Sequence, residues 1–398
     1  MAFTLSNAEN VLKVRYIGPM RDQLNNASIL TSRILTDKSS FNVGGKTFTV
    51  PLHVSRNVAA GVGRSDGGTL PTAGQQGYDV AVVPNAYIYS RIKVTGPTIR
   101  AARDNASAFV TAIESEIKGV TRDTKRAINR QLNGDGRDAL AYWTVADNAS
   151  GTNVDDKRGN AFVHLPASGT ITADLIDATD DSTVLGDSIV VTLGAKNGTT
   201  SYAITWTGTV TGSADEDYLV VEDTLGKQLM GIAGIIDDAD PRLPTGGLHG
   251  LAVASKPYWK SQMFANSGTD RDLTLALMQE PLSAIATNSD FGEDDVAFMM
   301  SNYGIRDKYV SLLVADKRFP NTMKLDGGFK AVEFNGIPLV PDPQCQRNTI
   351  WYIVPEVLRF FQTSDFDWAD RDGAVLRAVS NEDAYEAFAF RYFNLGCT

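Results

Sequence analysis

Three histidines, two cysteines and a run of four aspartates are the residues with which this chain could do chemistry, and none stands at a spacing that chemistry uses. His53, His164 and His249 lie far apart and form no His-Glu-x-x-His or comparable ligand pattern. Cys345 and Cys397 are too few for a disulfide framework or a zinc site and read as two reduced thiols. Gly61-Val62-Gly63 opens like a dinucleotide-binding loop, but Asp66 occupies the third glycine position and no strand–loop–helix unit follows. No Gly-Lys-Ser/Thr phosphate loop and no Gly-x-Ser-x-Gly elbow occurs. Asp365, Asp367, Asp370 and Asp372 precede Gly373 and invite a calcium reading. An EF-hand phased on that glycine would start at Trp368, which cannot ligate, so the cluster reads as an acidic turn before a strand. Asn26-Ala27-Ser28 and Asn105-Ala106-Ser107 match the glycosylation pattern by chance. The chain is expected to need no cofactor or metal and not to be an enzyme. Its informative residues are those that build surfaces.

The elements that carry those surfaces must come from an ordered, multi-unit protein. At 398 residues, 43% hydrophobic and 21% charged, the chain exceeds one ordinary core and is far from the composition of disorder. No apolar run approaches the ~20 residues that span a bilayer, and the N-terminus lacks the basic-then-apolar order of a signal peptide, so synthesis in a cytoplasm is expected. The net charge of -10 is uneven: residues 1–145 sum to +7 and the remainder to -17. An acidic total argues against a dedicated nucleic-acid binder, whose affinity comes from neutralising phosphates.

Residues 1–40 are polar and irregular, with scattered apolar anchors at Val11, Leu12, Tyr16, Ile17, Leu30 and Ile34. They form an arm that must lie on something else. In residues 41–97, Phe48, Val50, Leu52 and Val54 alternate with polar residues, which predicts a strand with one apolar face. A second alternating run takes in Tyr78, Val80 and Val82 and continues through Tyr87, Tyr89, Ile92 and Val94. The glycine-rich stretch from Gly61 to Gly77 would be the flexible tip joining two long strands. A two-stranded ribbon is marginal alone in water, so its apolar face must be covered by another subunit or a distant domain.

Residues 98–147 hold the clearest helix. Phe109, Val110, Ile113, Ile117, Val120, Thr124, Ile128 and Leu132 recur at spacings of three and four. Asp104 or Asn105 would cap its start and Asn133-Gly134 would end it in the left-handed conformation. At about 1.5 Å per residue, some 28 helical residues within 104–133 span roughly 42 Å, the length of a structural spine. Residues 148–230 are rich in Gly, Thr, Ser and Asp, with short strands at 189–193, 202–206 and 218–221, and read as an inserted β-rich module. Residues 231–350 alternate helices and strands, including a hairpin turning at Asn335-Gly336, and residues 351–398 return as strands. The fold class is α+β.

The order of parts resembles the major capsid protein family of tailed bacteriophages, the Hong Kong 97 type, shared with encapsulins. The stretch Phe334-Asn335-Gly336-Ile337-Pro338-Leu339-Val340-Pro341-Asp342, then Trp351-Tyr352-Ile353-Val354, Asp372-Gly373 and Asn394-Leu395, is similar to family members as well. The resemblance implies an N-terminal arm (1–40), an extended loop that overlaps a neighbouring subunit (41–97), a peripheral domain with spine helix (98–147), an axial domain (231–350) and return strands (351–398). It implies a virion component, assembled in the host cytoplasm as hexamers and pentamers, with no membrane partner. Scaffolding, portal or decoration proteins and packaged double-stranded DNA, bound without sequence specificity, are the further partners it suggests. The basic end of the spine helix would face that DNA or merely offset the helix dipole. The expected intersubunit contacts are Phe48, Val50, Leu52, Val54, Arg64, Asp66, Tyr78, Val80 and Val82 on the ribbon, and Val11, Tyr16 and Ile17 on the arm. Some family members weld subunits through a Lys–Asn bond on the loop. Residues 59–77 contain no lysine, so no such weld is expected. Some members also carry a long helical scaffolding segment before the arm that a protease removes; this chain begins with a short arm, so no such cleavage is expected, and any scaffold would be a separate protein. An encapsulin-like compartment is the alternative, ranked second because of the insertion; a β-rich tail protein is third, against the long helix.

Overall fold

A computed structural model describes residues 29–37, 46–97, 106–144, 153–155, 169–197, 201–243, 246–315, 322–324, 330–370 and 375–398. The chain begins with α1 (Ile29–Arg33) and β1 (Leu35–Asp37), then the ribbon strands β2 (Thr47–Ser55) and β3 (Gly77–Pro84), then β4 (Ala86–Thr95) and the long helix α2 (Ala106–Leu132). Six strands follow: β5 (Ala141–Trp143), β6 (Asn153–Asp155), β7 (Ile171–Ile176), β8 (Val184–Asn197), β9 (Ser201–Thr207) and β10 (Tyr218–Val221). After the short α3 (Ile232–Ile235) come α4 (Leu275–Asn288), β11 (Phe298–Ser301), α5 (Tyr303–Ala315), β12 (Thr322–Lys324), β13 (Lys330–Phe334), β14 (Ile337–Pro341) and β15 (Ile350–Ile353). The chain closes with β16 (Leu358–Trp368), β17 (Arg377–Ala378) and β18 (Ala384–Cys397). The class is α+β, as the patterning predicts.

The last strand holds the molecule together. β18 pairs antiparallel with β4 over ten residues on one side and with β16 on the other. The first and last quarters of the chain therefore share one sheet. Its inward face, with Ile92, Ala387, Ala389 and Phe393, lies in the main core beside Ile117, Ile128 and Leu132 of α2. Two anchors of the arm, Leu30 and Ile34, are buried in that same core, and β1 runs parallel to β16. The other arm anchors, Val11, Tyr16 and Ile17 among them, lie outside the described residues.

Helix α2 spans 27 residues, about 40 Å, and Ile117, Thr121, Thr124, Ile128 and Leu132 form a buried stripe along it. Asn133-Gly134 end it differently from the expectation. Asn133 N–H reaches back to the Asn129 and Arg130 carbonyls, Gly134 N–H donates to the Gln131 carbonyl, and the left-handed residues come later, at Gly136 and Asp138. The reason is a close approach: a Cβ on Gly231 would fall 2.2 Å from the Gly134 carbonyl oxygen, so the backbone of that segment lies directly on the helix end. The basic end is likewise not all free for solvent. Arg130 is buried and makes a two-pronged bond to buried Asp138, at 2.7 and 2.6 Å. Only Arg122, Lys125 and Arg126 remain at the surface or half-buried.

The β-rich module closes into a six-stranded barrel in the order β10-β5-β6-β9-β8-β7, with Trp143, Val154, Leu175, Ile189, Ile204 and Leu219 inside. It is joined to the body by Arg137, whose guanidinium bonds Asp135 at 2.6 Å, lies 3.6 Å from Asp181 and stacks over Tyr218. The later α+β unit is a five-stranded sheet, β12-β13-β14-β11-β15, with Met278 and Leu282 of α4 and Tyr309 and Leu313 of α5 on its core. Asn335 and Gly336 both take positive φ, 50° and 82°, as an Asn-Gly hairpin turn requires.

The ribbon departs from its expected form in two respects. It is shorter: the pairing of β2 with β3 ends at Pro84, and β4 is a separate strand that belongs to the main sheet. Pro84 has no N–H to extend a ladder, and Asn85 turns the chain by donating its N–H to the Lys46 carbonyl and its side-chain amide to Thr363. The buried phase also differs on β3. Phe48 pairs with Val83 and Val50 with Ala81, so Ala81 and Val83 face inward while Tyr78, Val80 and Val82 face out.

Candidate assembly interface

The ribbon is clamped to its own chain by its inner face. Phe48, Val50 and Leu52 are buried with Ala81 and Val83 against Leu251 and Phe361, with Val54 half-buried beside them. The Phe48 and Phe361 rings lie 5.5 Å apart. This corrects the expectation that Phe48, Val50, Leu52 and Val54 are offered to a neighbour: a distant part of the same chain covers them. Two polar ties reinforce the clamp. The Val82 N–H donates to the His249 carbonyl at 2.8 Å. Asp79 accepts from Lys256 Nζ at 2.5 Å and from the Tyr258 hydroxyl at 2.6 Å. The Lys256 bond, then the Tyr258 bond, hold the Asp79 carboxyl down to about 2. Asp79→Ala is expected to loosen β3 without unfolding the body. Limited proteolysis should then cut residues 77–84 several-fold faster while the global melt is little changed.

His249 makes the clamp sensitive to acid. Its side chain is 1% exposed, its Nε2 has no hydrogen-bond partner and its φ is +53°. Burial lowers its pKa to about 4, from an ordinary 6.5. The folded protein thus resists a proton that the unfolded chain accepts. The contribution of neutral His249 is complete above about pH 6.5 and is lost as pH falls towards 4, with a ceiling of about 3 kcal/mol. Chemical denaturation at pH 7 and pH 4.5 measures the slope, and His249→Asn, which tolerates positive φ, should flatten it.

What the ribbon offers to solvent is the other face and the tip. Tyr78 is 69% exposed, Val80 49% and Val82 36%. At the tip, Val58 is 77% exposed and Leu70 82%, and Arg64 and Asp66 are both at the surface. The tip is folded on itself: the Asn57 side-chain amide donates to the Gly74 carbonyl at 2.9 Å, and Gln76 accepts from the Asn57 N–H at 3.1 Å and from His53 at 2.7 Å. Sequence reasoning missed Val58 and Leu70, which are isolated apolar residues inside a glycine-rich loop.

A second exposed surface lies on the main sheet, on the side away from α2. There Tyr87 stands opposite Tyr392, Tyr89 opposite Phe390, Arg91 opposite Phe388 and Lys93 opposite Glu386. The rings interlock, with Tyr87 and Tyr392 at 5.0 Å and Phe390 and Tyr392 at 4.9 Å. Tyr87 remains 45% exposed and Tyr89 57%. The alternation of Phe388, Phe390 and Tyr392 was the available signal, but which side faces out depends on pairing with β4.

Among the described residues, no three His, Cys, Asp or Glu side chains converge as a metal site would need, and no helix is long and apolar enough to cross a membrane. A cleft of about 1040 Å³ lies beneath residues 258–273, lined by Phe264, Leu277, Pro281 and Trp351. Cys397, partly buried, borders it, and desolvation pushes its thiol up to about 12.

No protein-family model matches the sequence, and no curated protein matches it by sequence. Solved structures do match in shape. The capsid asymmetric unit of cyanophage A-1(L) aligns over 94% of this chain and 88% of that one, at 15% identity and a TM-score of 0.54. The capsid of a native GTA particle aligns over 94% and 86%, at 10% identity and a TM-score of 0.46. An encapsulin of Synechococcus elongatus, from the holo-SrpI complex, aligns over 31% of this chain and 45% of its own, at 13% identity and a TM-score of 0.24. The chain has the Hong Kong 97-type fold of phage major capsid proteins.

Proposed function

We propose that this protein is a structural subunit that self-assembles into an icosahedral phage head enclosing double-stranded DNA. The observation that carries the reading is the ribbon: its inner face is satisfied within the chain, while its outer face and tip hold apolar side chains in water. Monomeric proteins rarely keep such a ridge bare, and a projecting arm of this kind suits contact with a neighbour. The fold supports the same reading, because 94% of the chain follows a capsid subunit. Function is then binding repeated by symmetry: contacts that are weak singly sum to a closed particle. The copies would group as hexamers and pentamers, with the tip residues Val58, Arg64, Asp66 and Leu70 reaching an adjacent copy. Packaged DNA would be enclosed without sequence-specific contact, since the chain is acidic overall and Arg130, at the end of the spine helix, is paired internally. Scaffolding, portal and decoration proteins are the other partners of such a head, and the virion is its location after assembly in the host cytoplasm.

Negative-stain microscopy of the purified chain, alone or expressed with its phage neighbours, tests this directly. Closed, regular icosahedral particles are expected. A protein that stays monomeric at every concentration and in every co-expression would overturn the reading. Denaturing gels of those particles should show a single 42.9 kDa band, because the ribbon tip has no lysine to weld; a ladder of multiples would refute that expectation.

A further inference from the structure

The cleft of about 1040 Å³ beneath residues 258–273 lies where two units of the chain meet, and its lining includes no residue of the ribbon or the barrel. Leu248, Leu358 and Cys397 of the body form one side; α4 and β15 of the later α+β unit form the other. Small-molecule pockets of ~300–1,000 Å³ favour such boundaries. The segment over the cleft is a strap tied at both ends. At one end the Trp259 indole N–H donates to the Leu248 carbonyl at 3.0 Å and the Ser261 hydroxyl to the Ile235 carbonyl at 3.1 Å. At the other, the Asn348 side-chain amide donates to Asp270 at 2.9 Å and Lys308 to Asp272 at 3.1 Å. Between the ties the strap folds on itself. Asn266, Ser267 and Gly268 take successive positive φ angles of 48°, 56° and 75°, a turn that non-glycine residues adopt only at a cost.

We propose that this cleft is a binding site for a flat aromatic anion, with its rings among Trp259, Phe264 and Trp351 and its charge on Arg271. Three observations select that chemistry. First, the lining is aromatic and apolar, with Leu277 and Pro281 beside those three rings, and stacked or edge-on rings suit a planar body. Second, the wall holds a donor with nothing to bond. Trp351 is 5% exposed and its Nε1–H has no acceptor, although an indole can only donate. A buried donor left bare is costly, and an acceptor on a bound molecule would satisfy it. Third, the sign of the charge follows from which groups are already engaged. Of the cations in the lining, Lys260 lies 3.5 Å from Asp238, Lys308 bonds Asp272, and Arg347 bonds Asp155 at 3.1 Å. Arg271 bonds only the Phe264 carbonyl, at 2.8 Å, so its charge is without a counter-ion among the described residues. The lining carboxylates, Asp270 and Asp272, are held by Asn348 and Lys308, which leaves no free anion to receive a cationic ligand. Arg271 and Phe264 belong to the strap, so a molecule held by both would fasten the strap over the cleft. The site is independent of the shell reading and goes beyond it.

Titration of the full chain with two fluorescent probes tests it. Anilinonaphthalene sulfonate supplies the rings with an anionic group, and phenylnaphthylamine supplies the same rings without one. Saturable binding of one sulfonate probe per chain is expected. Arg271→Gln should weaken the sulfonate about tenfold while leaving the neutral probe within about twofold, because a charge-assisted bond is lost and the apolar walls are not. Arg271 is exposed, so this variant should fold as the parent does, with an unchanged melt. Ala284→Trp, which fills the cleft from α4, should abolish binding of both probes. The absence of saturable binding would overturn the proposal. So would sulfonate binding that survives Ala284→Trp in a folded chain, which would place the probe elsewhere. Equal affinities of the parent and Arg271→Gln for the sulfonate would also overturn it, because the site would then read no charge.

Discussion

Replacing residues 58–75 with a two-residue Asn-Gly turn is expected to abolish particles while leaving a soluble monomer of unchanged fold. The described bonds of the tip run mostly within it or to its base, as between Asn57 and Gly74, and its apolar side chains Val58 and Leu70 touch water. Removing it therefore costs the single chain little, and the melting temperature should stay within about 2 °C. Assembly multiplies the loss. If each copy contributes one tip contact and avidity across linked contacts is worth 10²–10⁴-fold, particle yield should fall about 100-fold or more. Sucrose-gradient sedimentation of the shortened chain measures the yield, and circular dichroism checks that the monomer is intact. Normal sedimentation of full-sized shells would show that the tip is ornamental.

The second large effect is on stability. Arg130 and Asp138 face each other where the spine helix hands over to the barrel, with side chains 6% and 1% exposed. Removing one charge from such a pair leaves the other buried and uncompensated, which costs about 3–5 kcal/mol. Asp138→Asn is the clean probe, because Asp138 sits at φ 55° and asparagine tolerates that backbone while alanine adds strain of its own. A fall of that size in urea unfolding is expected, together with loss of assembly through misplacement of the barrel. Adding Arg130→Met to Asp138→Asn removes the stranded charge and should recover most of the loss. An Asp138→Asn cost below about 1 kcal/mol would mean that water reaches the pair and that the helix end is held by apolar contacts alone.

These residues also show where sequence reading succeeds and where it stops. The spine helix was legible because its 3.6-residue stripe repeats over 27 residues and no strand pattern competes. The ribbon and its tip were legible from alternation broken by glycines. The buried face of β3 was not, because that strand is apolar on both sides: the larger Tyr78, Val80 and Val82 lie outward and the smaller Ala81 lies within. Alternation reports which side is greasy, and only the register with Phe48 and Val50 decides which side is covered. The partner surfaces were out of reach for a similar reason. Phe361 and Leu251 lie some 200 to 300 positions from the ribbon they cover, and the β4–β18 pairing spans a comparable distance. The barrel closes through β5 and β6, which are three residues each and too short to carry a period. The polar ties at Asp79 and His249 follow from tertiary placement, and a lone aspartate or histidine in a sequence announces neither.

The central claim is that the ribbon's bare side exists to be covered by another copy, and a density map of the assembled particle at side-chain resolution tests it most directly. The account predicts that residues 56–76 of every copy lie on a neighbouring chain, with Val58 and Leu70, 77% and 82% exposed in the single molecule, buried there. A particle in which those tips project into solvent, Val58 and Leu70 still bare, would contradict it.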